Sequence, residues 1–334
     1  MDLDNDGHKD LISGSWPGEI FFFKGTEDGS FAAPEMIKNK DGEFINIGGG
    51  IRPGGGIMGE ILIAGYAKFE HTSEGTFVNY HGKRFKSTPE KPYAITGTAS
   101  AAHAVDWDGD GDYDLIVGSI SGNVYLLPNE GTLQSCAFGK EEQLRAGGRP
   151  INVRRGAGPF TADWDGDADL DLLVGADDGS VSLYRNAGST QSPKLASAVQ
   201  LVPPGEQRSG STAPKEVCRG TRAKICVADW NEDGLLDLLV GDRVSQKPDR
   251  PDPTPEEEAE HDRIRDELKP IQERYGELSQ KLWGPSRVTD EEQIKQIQDE
   301  MSTVRVRMTD LRSKLPREYE THGWVWLFLR KKAD

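Results

Sequence analysis

The sequence predicts an all-β protein, a β-propeller of four-stranded blades into which an antiparallel α-helical hairpin is inserted. An aspartate-rich segment occurs four times, and each copy runs into short apolar stretches of strand length. The 39 glycines and 19 prolines among 334 residues supply the turns that many short strands need. Helical periodicity is confined to one stretch after residue 250.

The repeated segment carries acidic or amide residues at its positions 1, 3, 5 and 9, followed by an apolar run that ends in glycine. The last three copies are spaced like supersecondary blocks that stack on their neighbours. We call the copies loops I to IV. They read DLDNDGHKDLISG (2–14), DWDGDGDYDLIVG (106–118), DWDGDADLDLLVG (163–175) and DWNEDGLLDLLVG (229–241).

Each loop is followed by strand-like runs, and a further run precedes the next loop. Four strands per unit is the description of a propeller blade. The interval between loops I and II fits two blades, and we interpret residues 60–82 as part of a blade without an aspartate loop. Five blades are then visible, and a longer protein could hold up to seven. The five span residues 1–40, 41–98, 99–156, 157–224 and 225–332.

The spacing of the acidic residues points to a calcium site in each loop. Oxygens at positions 1, 3 and 5 can converge on one point, position 7 offers a backbone carbonyl, and position 9 adds a carboxylate. Glycine at position 6 permits the sharp turn. The alternative is that aspartate and glycine simply favour turns between strands. Ala168 replaces that glycine in loop III and Asn231 replaces a carboxylate in loop IV, so we expect weaker sites there.

The pattern D-x-[DN]-x-D-G-x-x-D-L-[IL]-V-G resembles the FG-GAP/VCBS-type repeat, a calcium-loop propeller repeat related to that of integrin α-chain N-terminal domains. Phe-Gly and Gly-Ala-Pro signatures are largely missing from the sequence, so it is more similar to bacterial secreted repeats. The resemblance implies an extracellular, calcium-stabilised propeller that serves adhesion or recognition, with up to four Ca²⁺ ions. The implied ligands are Asp2, Asp4, Asp6, Asp10, Asp106, Asp108, Asp110, Asp114, Asp163, Asp165, Asp167, Asp171, Asp229, Asn231, Asp233 and Asp237.

Two amphipathic stripes between residues 264 and 315 predict the helical hairpin. Thr254 and Pro255 give the first helix its start, and Thr289 with Glu292 forms a capping box for the second. Either each stripe covers the other in a solvated spur, or the spur docks a partner or another copy of the chain. The predicted division is propeller blades at 1–250, the hairpin at 251–318 and a last-blade strand at 319–334.

Charge and hydropathy exclude some classes of partner, and the start of the sequence favours one kind of cellular location. A net charge of −16 argues against nucleic acid and anionic membrane surfaces, and no apolar run reaches the ~18 residues of a membrane span. The sequence begins inside loop I without the strand that should precede it. We therefore expect a longer precursor with a signal peptide and an extracellular, periplasmic or cell-surface location. Cys218 and Cys226 are either bridged or two buried thiols, and Cys136 is left over.

The function that these features favour is non-catalytic recognition of a protein or glycan ligand by a calcium-binding propeller. The alternative is a propeller enzyme, a lyase, hydrolase or oxidoreductase, that acts on a carbohydrate or polyanionic substrate in the central channel. His103 and the arginines of residues 149–155 are its first candidates. No catalytic residue is assigned, because the sequence carries no HExxH, nucleophile-elbow or phosphate-loop motif.

Overall fold

A computed structural model of the chain shows a mostly β-sheet protein with several antiparallel sheets and two helices. This confirms the predicted content of strands and helices. The residues described are 1–16, 18–47, 50–53, 67–72, 74–80, 83–87, 93–96, 100–206, 215–283, 288 and 290–332.

Each aspartate-rich loop leads into one antiparallel sheet, and we number these sheets I to IV after the loops. In chain order, sheet I contains β1 (Leu11–Gly14), β2 (Ile20–Phe23) and β3 (Glu35–Met36), and two small sheets then contain β4 (Gly50–Pro53), β5 (Ala67–Thr72), β6 (Gly75–Tyr80), β7 (Lys83–Ser87) and β8 (Tyr93–Thr96). Sheet II contains β9 (Ala101–Val105), β10 (Asp114–Gly118), β11 (Val124–Leu127) and β12 (Glu142–Gln143), and it is followed by a hairpin of β13 (Arg145–Ala146) and β14 (Arg149–Pro150). Sheet III contains β15 (Gly158–Ala162), β16 (Asp171–Gly175), β17 (Val181–Tyr184) and β18 (Val199–Val202), and sheet IV contains β19 (Thr221–Ala228), β20 (Asp237–Gln246), β21 (Glu320–His322) and β22 (Val325–Phe328).

The apolar run after loops II and III is continuous because both faces of the strand are covered. In β10, Leu115 packs into the core between sheets I and II, whereas its neighbour Ile116 packs into the core between sheets II and III. In β16, Leu172 faces sheet II and Leu173 faces sheet IV. Successive side chains of a strand point to opposite faces, so a sheet in the middle of a stack needs apolar residues at every position.

The glycine that ends the run after loops I, II and III is required by the spacing of neighbouring sheets. A Cβ added to Gly14 or Gly118 would lie 2.2 Å from the carbonyl oxygen of Ser100 or Ala157, which lead into the first strands of sheets II and III. A Cβ on Gly175 would lie 2.5 Å from the carbonyl oxygen of Ala223 in β19. Three inter-sheet contacts therefore repeat one close backbone approach that only glycine allows.

The blade predicted at residues 41–98 does not stand between sheets I and II, so that prediction is wrong. These sheets touch directly: the backbone N–H of Ser100 donates to the carbonyl of Ser15 over 3.1 Å, and Ile20 shares a core with Leu115. The segment in between pairs β4 with β8 and forms a separate β5–β6–β7 meander. Residues 48–49, 54–66, 73, 81–82, 88–92 and 97–98 of the predicted blade lie outside the described residues.

The chain leaves the stack after residue 47 because sheet I is already complete there. The Ile47 N–H donates to the carbonyl of Gly18 over 2.9 Å, and at the same place in sheet II the Val153 N–H donates to the carbonyl of Gly122 over 2.9 Å. After Val153 the chain proceeds directly into the next sheet, whereas after Ile47 it returns only at Ser100. The long first interval is therefore one unit with an insertion.

The helical hairpin interrupts sheet IV, since Gln246 of β20 pairs with Glu320 of β21 on either side of it. Its helices are α1 (Pro255–Trp283) and α2 (Glu291–Ser313). Every described residue of the predicted stripes is buried or half-buried, as expected when the two stripes cover each other. The cap of α2 is Asp290, which accepts the N–H of Gln293 over 2.9 Å, so the capping box predicted at Thr289 is wrong; Thr289 itself lies outside the described residues.

Two further sequence predictions concern the thiols and the membrane. None of the described cysteines, Cys136, Cys218 and Cys226, is part of a disulfide, and Cys226 is exposed, so neither the bridge nor a pair of buried thiols is found. Neither of the two helices in the described part of the chain combines the length and the apolarity that a bilayer span requires.

The close approach at the motif glycine predicts opposite effects for two glycine-to-alanine changes. Gly118→Ala should lower the free energy of unfolding by about 1–3 kcal/mol, because its Cβ meets the backbone of the next sheet. The control Gly276→Ala places a Cβ in open space on the exposed face of α1 and should raise stability by about 0.5–1 kcal/mol. Denaturant unfolding measures both, and equal stability of Gly118→Ala and the wild type would contradict the predicted contact.

Candidate metal centre

The four loops share one backbone conformation. Positions 4 and 6 are left-handed in every loop, with φ between 53° and 98°. Ala168 adopts this conformation at φ 73°, at a cost of about 1 kcal/mol, which bears out the expectation of strain in loop III. The left-handed residue at position 4 was not foreseen, although asparagine and glycine, which tolerate it, occupy three of the four copies. The residues concerned are Asn5, Gly109, Gly166 and Glu232 at position 4 and Gly7, Gly111, Ala168 and Gly234 at position 6.

The carboxylate at position 1 is held by the backbone of its own loop. In loop III, Asp163 Oδ1 accepts the N–H of Gly166 over 2.8 Å and Asp163 Oδ2 accepts the N–H of Ala168 over 3.0 Å. Position 5 makes a local turn, since Asp167 Oδ1 accepts the N–H of Asp169 over 3.0 Å. These bonds turn the side chains toward the inside of the loop and fix their oxygens before any ion binds.

Three of the four loops bring carboxylates together as the sequence predicts. In loops II and III, one oxygen from each of positions 1, 3 and 5 lies within 4.8 Å of the other two, whereas loop I groups positions 1, 3 and 9. Three hard oxygens at this spacing are a suitable start for a Ca²⁺ site, which a backbone carbonyl and water can complete. The groups are Asp106, Asp108 and Asp110; Asp163, Asp165 and Asp167; and Asp2, Asp4 and Asp10.

Loop II also shows the electrostatic cost of crowded carboxylates. Burial, together with the negative charges of Asp110 and Asp108, raises the pKa of Asp112 at position 7. A divalent cation in the loop would offset this repulsion, so the donor set fits a metal. In loop IV there is less repulsion for a cation to offset, because the uncharged amide of Asn231 replaces a carboxylate and its nitrogen donates to Asp233 Oδ2 over 3.1 Å.

The carboxylate at position 9 has a structural role that the sequence did not reveal. In loop III, Asp171 Oδ2 accepts the N–H of Trp164 over 3.1 Å, and Asp171 Oδ1 accepts the N–H of Asn186 over 2.7 Å. We call this pair of bonds the aspartate clamp. Burial raises the pKa of Asp171, and it raises the pKa of Asp114 to about 6. The other clamps are Asp10 with Leu3 and Gly25, Asp114 with Trp107 and Asn129, and Asp237 with Trp230 and Arg330.

The predicted calcium ligands at position 9 are the same carboxylates that form the clamps. These four aspartates are between 0% and 6% exposed, and their oxygens already accept backbone N–H groups. In loops II and III they do not belong to the groups of converging carboxylates, whereas Asp10 does in loop I. A carboxylate has lone pairs left for an ion after two such bonds. Its described contacts nevertheless join the loop to the strands on either side.

Two buried asparagines were missed altogether. Asn129 and Asn186 follow the third strands of sheets II and III, β11 and β17, and each side-chain oxygen accepts two backbone N–H groups. In sheet III these come from Gly188 over 2.9 Å and Lys194 over 2.8 Å. The repeated Asn-x-Gly in "PNEG" and "RNAG" was the available signal.

Two loops also contact a basic side chain. Lys24 Nζ contacts Asp4 Oδ2 and lies 2.8 Å from Asp6 Oδ2 in loop I. These contacts raise the pKa of Lys24 and lower the pKa of Asp6. In loop III, Arg185 Nε lies 3.7 Å from Asp165 Oδ2, a longer and weaker contact.

Of the candidates for an enzymatic site, His103 is engaged in packing, whereas Arg149, Arg154 and Arg155 are exposed. His103 Nε2 lies 2.9 Å from Thr161 Oγ1, and the His103 ring lies 4.9 Å from that of Phe160. Burial lowers the pKa of His103 to about 4, so the ring is neutral near pH 7. Arg155 adopts a left-handed conformation at φ 59°, and its carbonyl accepts the N–H of Asp177 over 2.8 Å.

Comparison with known proteins agrees with the repeat seen in the loops. The family model described as FG-GAP-like repeat matches residues 106–174 and 163–240. Residues 106–240 are FG-GAP-like repeats. This confirms the resemblance over that range, and each matched FG-GAP-like repeat starts at position 1 of a loop and ends in the strand after the next loop.

The wider comparisons are more distant. No curated protein matches the chain by sequence. A periplasmic gluconolactonase of Pseudomonas aeruginosa is similar in structure at a TM-score of 0.27 and 15% identity, over 74% of this chain and 65% of that one. BBS1N in complex with ARL6DN is similar at a TM-score of 0.26 and 15% identity, over 72% of this chain and 74% of that one. The alignment thus spans about two thirds of the gluconolactonase.

The clamp predicts that substitutions of two aspartates in loop III change the stability of the protein by different amounts. The comparison is made in EDTA, so that no calcium contributes to stability. Asp171→Asn should lower the free energy of unfolding by about 3 kcal/mol, because an amide nitrogen would then face a backbone donor in a buried site. Asp165→Asn, whose side chain is partly exposed, should change it by less than about 0.5 kcal/mol. Equal effects of the two substitutions in denaturant unfolding would contradict the clamp.

Proposed function

We propose that the chain is a calcium-stabilised propeller module that binds a protein or glycan ligand outside the cell and does not catalyse a reaction. The observation that carries the proposal is the convergence of carboxylates in loops I to III, each within a backbone turn of the same shape. Turn preference alone explains the glycines. It does not explain why three charged oxygens should be held within 4.8 Å of one another.

The proposed calcium ligands are the carboxylate and amide groups at positions 1, 3 and 5, with position 9 contributing where its clamp bonds leave a lone pair. The ion would supply positive charge that ties each loop to the strand after it. We expect loop II to bind best, because it combines three carboxylates with glycine at both left-handed positions. Loop III carries the strained Ala168, and loop IV has one charge fewer.

The propeller part of the proposal rests on how the sheets follow one another. The first strands of sheets II to IV contact each other in order, β9 with β15 and β15 with β19, and β1, the strand after loop I, contacts β9 as β10 contacts β15. A repeated contact through the first strand of each sheet is the arrangement around a propeller axis. We propose that the helical hairpin is an appendage of sheet IV, so the division into propeller, hairpin and last strand is kept.

Recognition is favoured over catalysis by the state of His103 among the candidate residues. His103 is neutral and packed between sheets, and the backbone of Arg155 serves the contact with sheet III. The FG-GAP-like repeats, which are typical of extracellular proteins, support an extracellular location, and the proposed ligand is a protein or glycan.

The calcium proposal predicts a melting midpoint that depends on Ca²⁺. An ion that binds only the folded state should add about 2.7 kcal/mol per site at a hundred times its Kd, so the midpoint should rise when EDTA is replaced by millimolar Ca²⁺. Thermal unfolding followed by circular dichroism measures the shift, and Asp108→Asn with Asp110→Asn should reduce it.

The matched control replaces the same number of aspartates away from the loops. Asp249→Asn with Asp252→Asn removes two exposed charges from the proline-rich segment before α1 and should leave the calcium shift unchanged. A midpoint that is the same in EDTA and in Ca²⁺ for the wild type would show that the loops do not bind calcium.

A further inference from the structure

The aspartate clamp gives the four units a common register. In each unit, Oδ1 of the position-9 aspartate accepts one N–H from the end of a later strand of the sheet. The residue that precedes this N–H donor in the sequence therefore occupies an equivalent place in all four units, and we call it the pre-clamp residue. The four pre-clamp residues are Lys24, Pro128, Arg185 and Leu329.

The pre-clamp residues differ in charge, and the two basic ones reach into their loops. Lys24 Nζ contacts carboxylates at both positions 3 and 5 of loop I, Asp4 and Asp6. Arg185 approaches only position 3 of loop III, Asp165, over 3.7 Å. Pro128 and Leu329 carry no charge, so the pre-clamp position of loops II and IV supplies no cation.

Loop I also groups its carboxylates differently from loops II and III. Its converging group is Asp2, Asp4 and Asp10, and Asp6 at position 5 is not a member. Asp6 is the residue that Lys24 holds over 2.8 Å. The ammonium group thus contacts two of the carboxylates that a calcium ion in loop I would use.

We propose that Lys24 is a built-in cation for loop I that competes with Ca²⁺, so the pre-clamp residue decides how strongly each loop binds the ion. This inference rests on the proposed calcium function of the loops. A divalent ion entering loop I must displace the ammonium group and meets its positive charge at short range. A Ca²⁺ ion entering loop II displaces no pre-clamp cation. We expect loop III to have an intermediate affinity for Ca²⁺, because Arg185 makes one longer contact with it.

The proposal makes loop I independent of calcium. Its carboxylates are neutralised by a side chain of the same chain, so the loop keeps its shape when calcium is scarce. Loops II and III respond to the ion, since their repulsion is left wholly or partly uncompensated. One end of the stack would then be ordered at all times and the remainder would be ordered by calcium.

The test is a count of bound ions in the full-length protein. Native mass spectrometry during a titration with free Ca²⁺ should find one more ion per chain in Lys24→Met than in the wild type, with the Kd of loop I lowered at least about tenfold. Lys24→Met with Asp6→Asn should lose the added ion, which assigns it to loop I. Lys24→Gln serves as a second neutral variant, and circular dichroism checks that each variant folds.

Two charge controls complete the design. Lys24→Arg keeps the cation and should bind as many ions as the wild type. Lys140→Met removes one exposed lysine outside the four loops and should also leave the count unchanged. A gain of an ion in either control would overturn the proposal, because the gain would not depend on the charge at the pre-clamp position.

Different outcomes would contradict the proposed calcium function and the proposed role of Lys24. If Asp108→Asn with Asp110→Asn lowers the ion count of the wild type while both neutral Lys24 variants bind no additional ion, the role of Lys24 is wrong and the calcium function stands. If neither the wild type nor Lys24→Met binds an ion at millimolar Ca²⁺, both are wrong.

Discussion

The buried carboxylate of the aspartate clamp is the contact on which each unit of this protein depends. It accepts one N–H from position 2 of its loop and one from the residue two places after the end of a later strand, at equivalent positions in all four copies. A single side chain thereby sets the register of the loop, the strand that it begins and the strand that returns beside it. Burying a charge is costly unless hydrogen bonds satisfy it, and here two short bonds do so.

The stacking of the units follows from two features of the strand after each clamp. In sheets II and III its side chains are apolar because sheets lie on both faces. After loops I, II and III its last residue is glycine because the backbone of the next sheet comes within contact distance. The loops sit where this strand starts. A cation bound there would therefore act on the same strand that the clamp and the glycine hold, whether it is an ion or the ammonium group of Lys24.

The features that the sequence predicted well are those with a local cause. Loop conformation follows from glycine and aspartate spacing, as the left-handed Ala168 illustrates, and the hairpin follows from helical periodicity. What could not be predicted depends on contacts distant in sequence. The clamp bond from Asp171 to Asn186 and the approach of Gly118 to Ala157 need the folded stack. The insertion after Ile47 was mistaken for a blade because strand-like runs do not reveal which sheet they join.

The central claim is that each loop is fixed by its clamp and completed by a cation, and a crystal structure grown in Ca²⁺ tests it most directly. The predicted result is an ion in loop II, at about 2.3–2.6 Å from oxygens of Asp106, Asp108 and Asp110, with Asp114 still accepting both backbone N–H groups. A loop II without an ion at saturating Ca²⁺, or an Asp114 carboxylate turned away from Trp107 and Asn129, would contradict it.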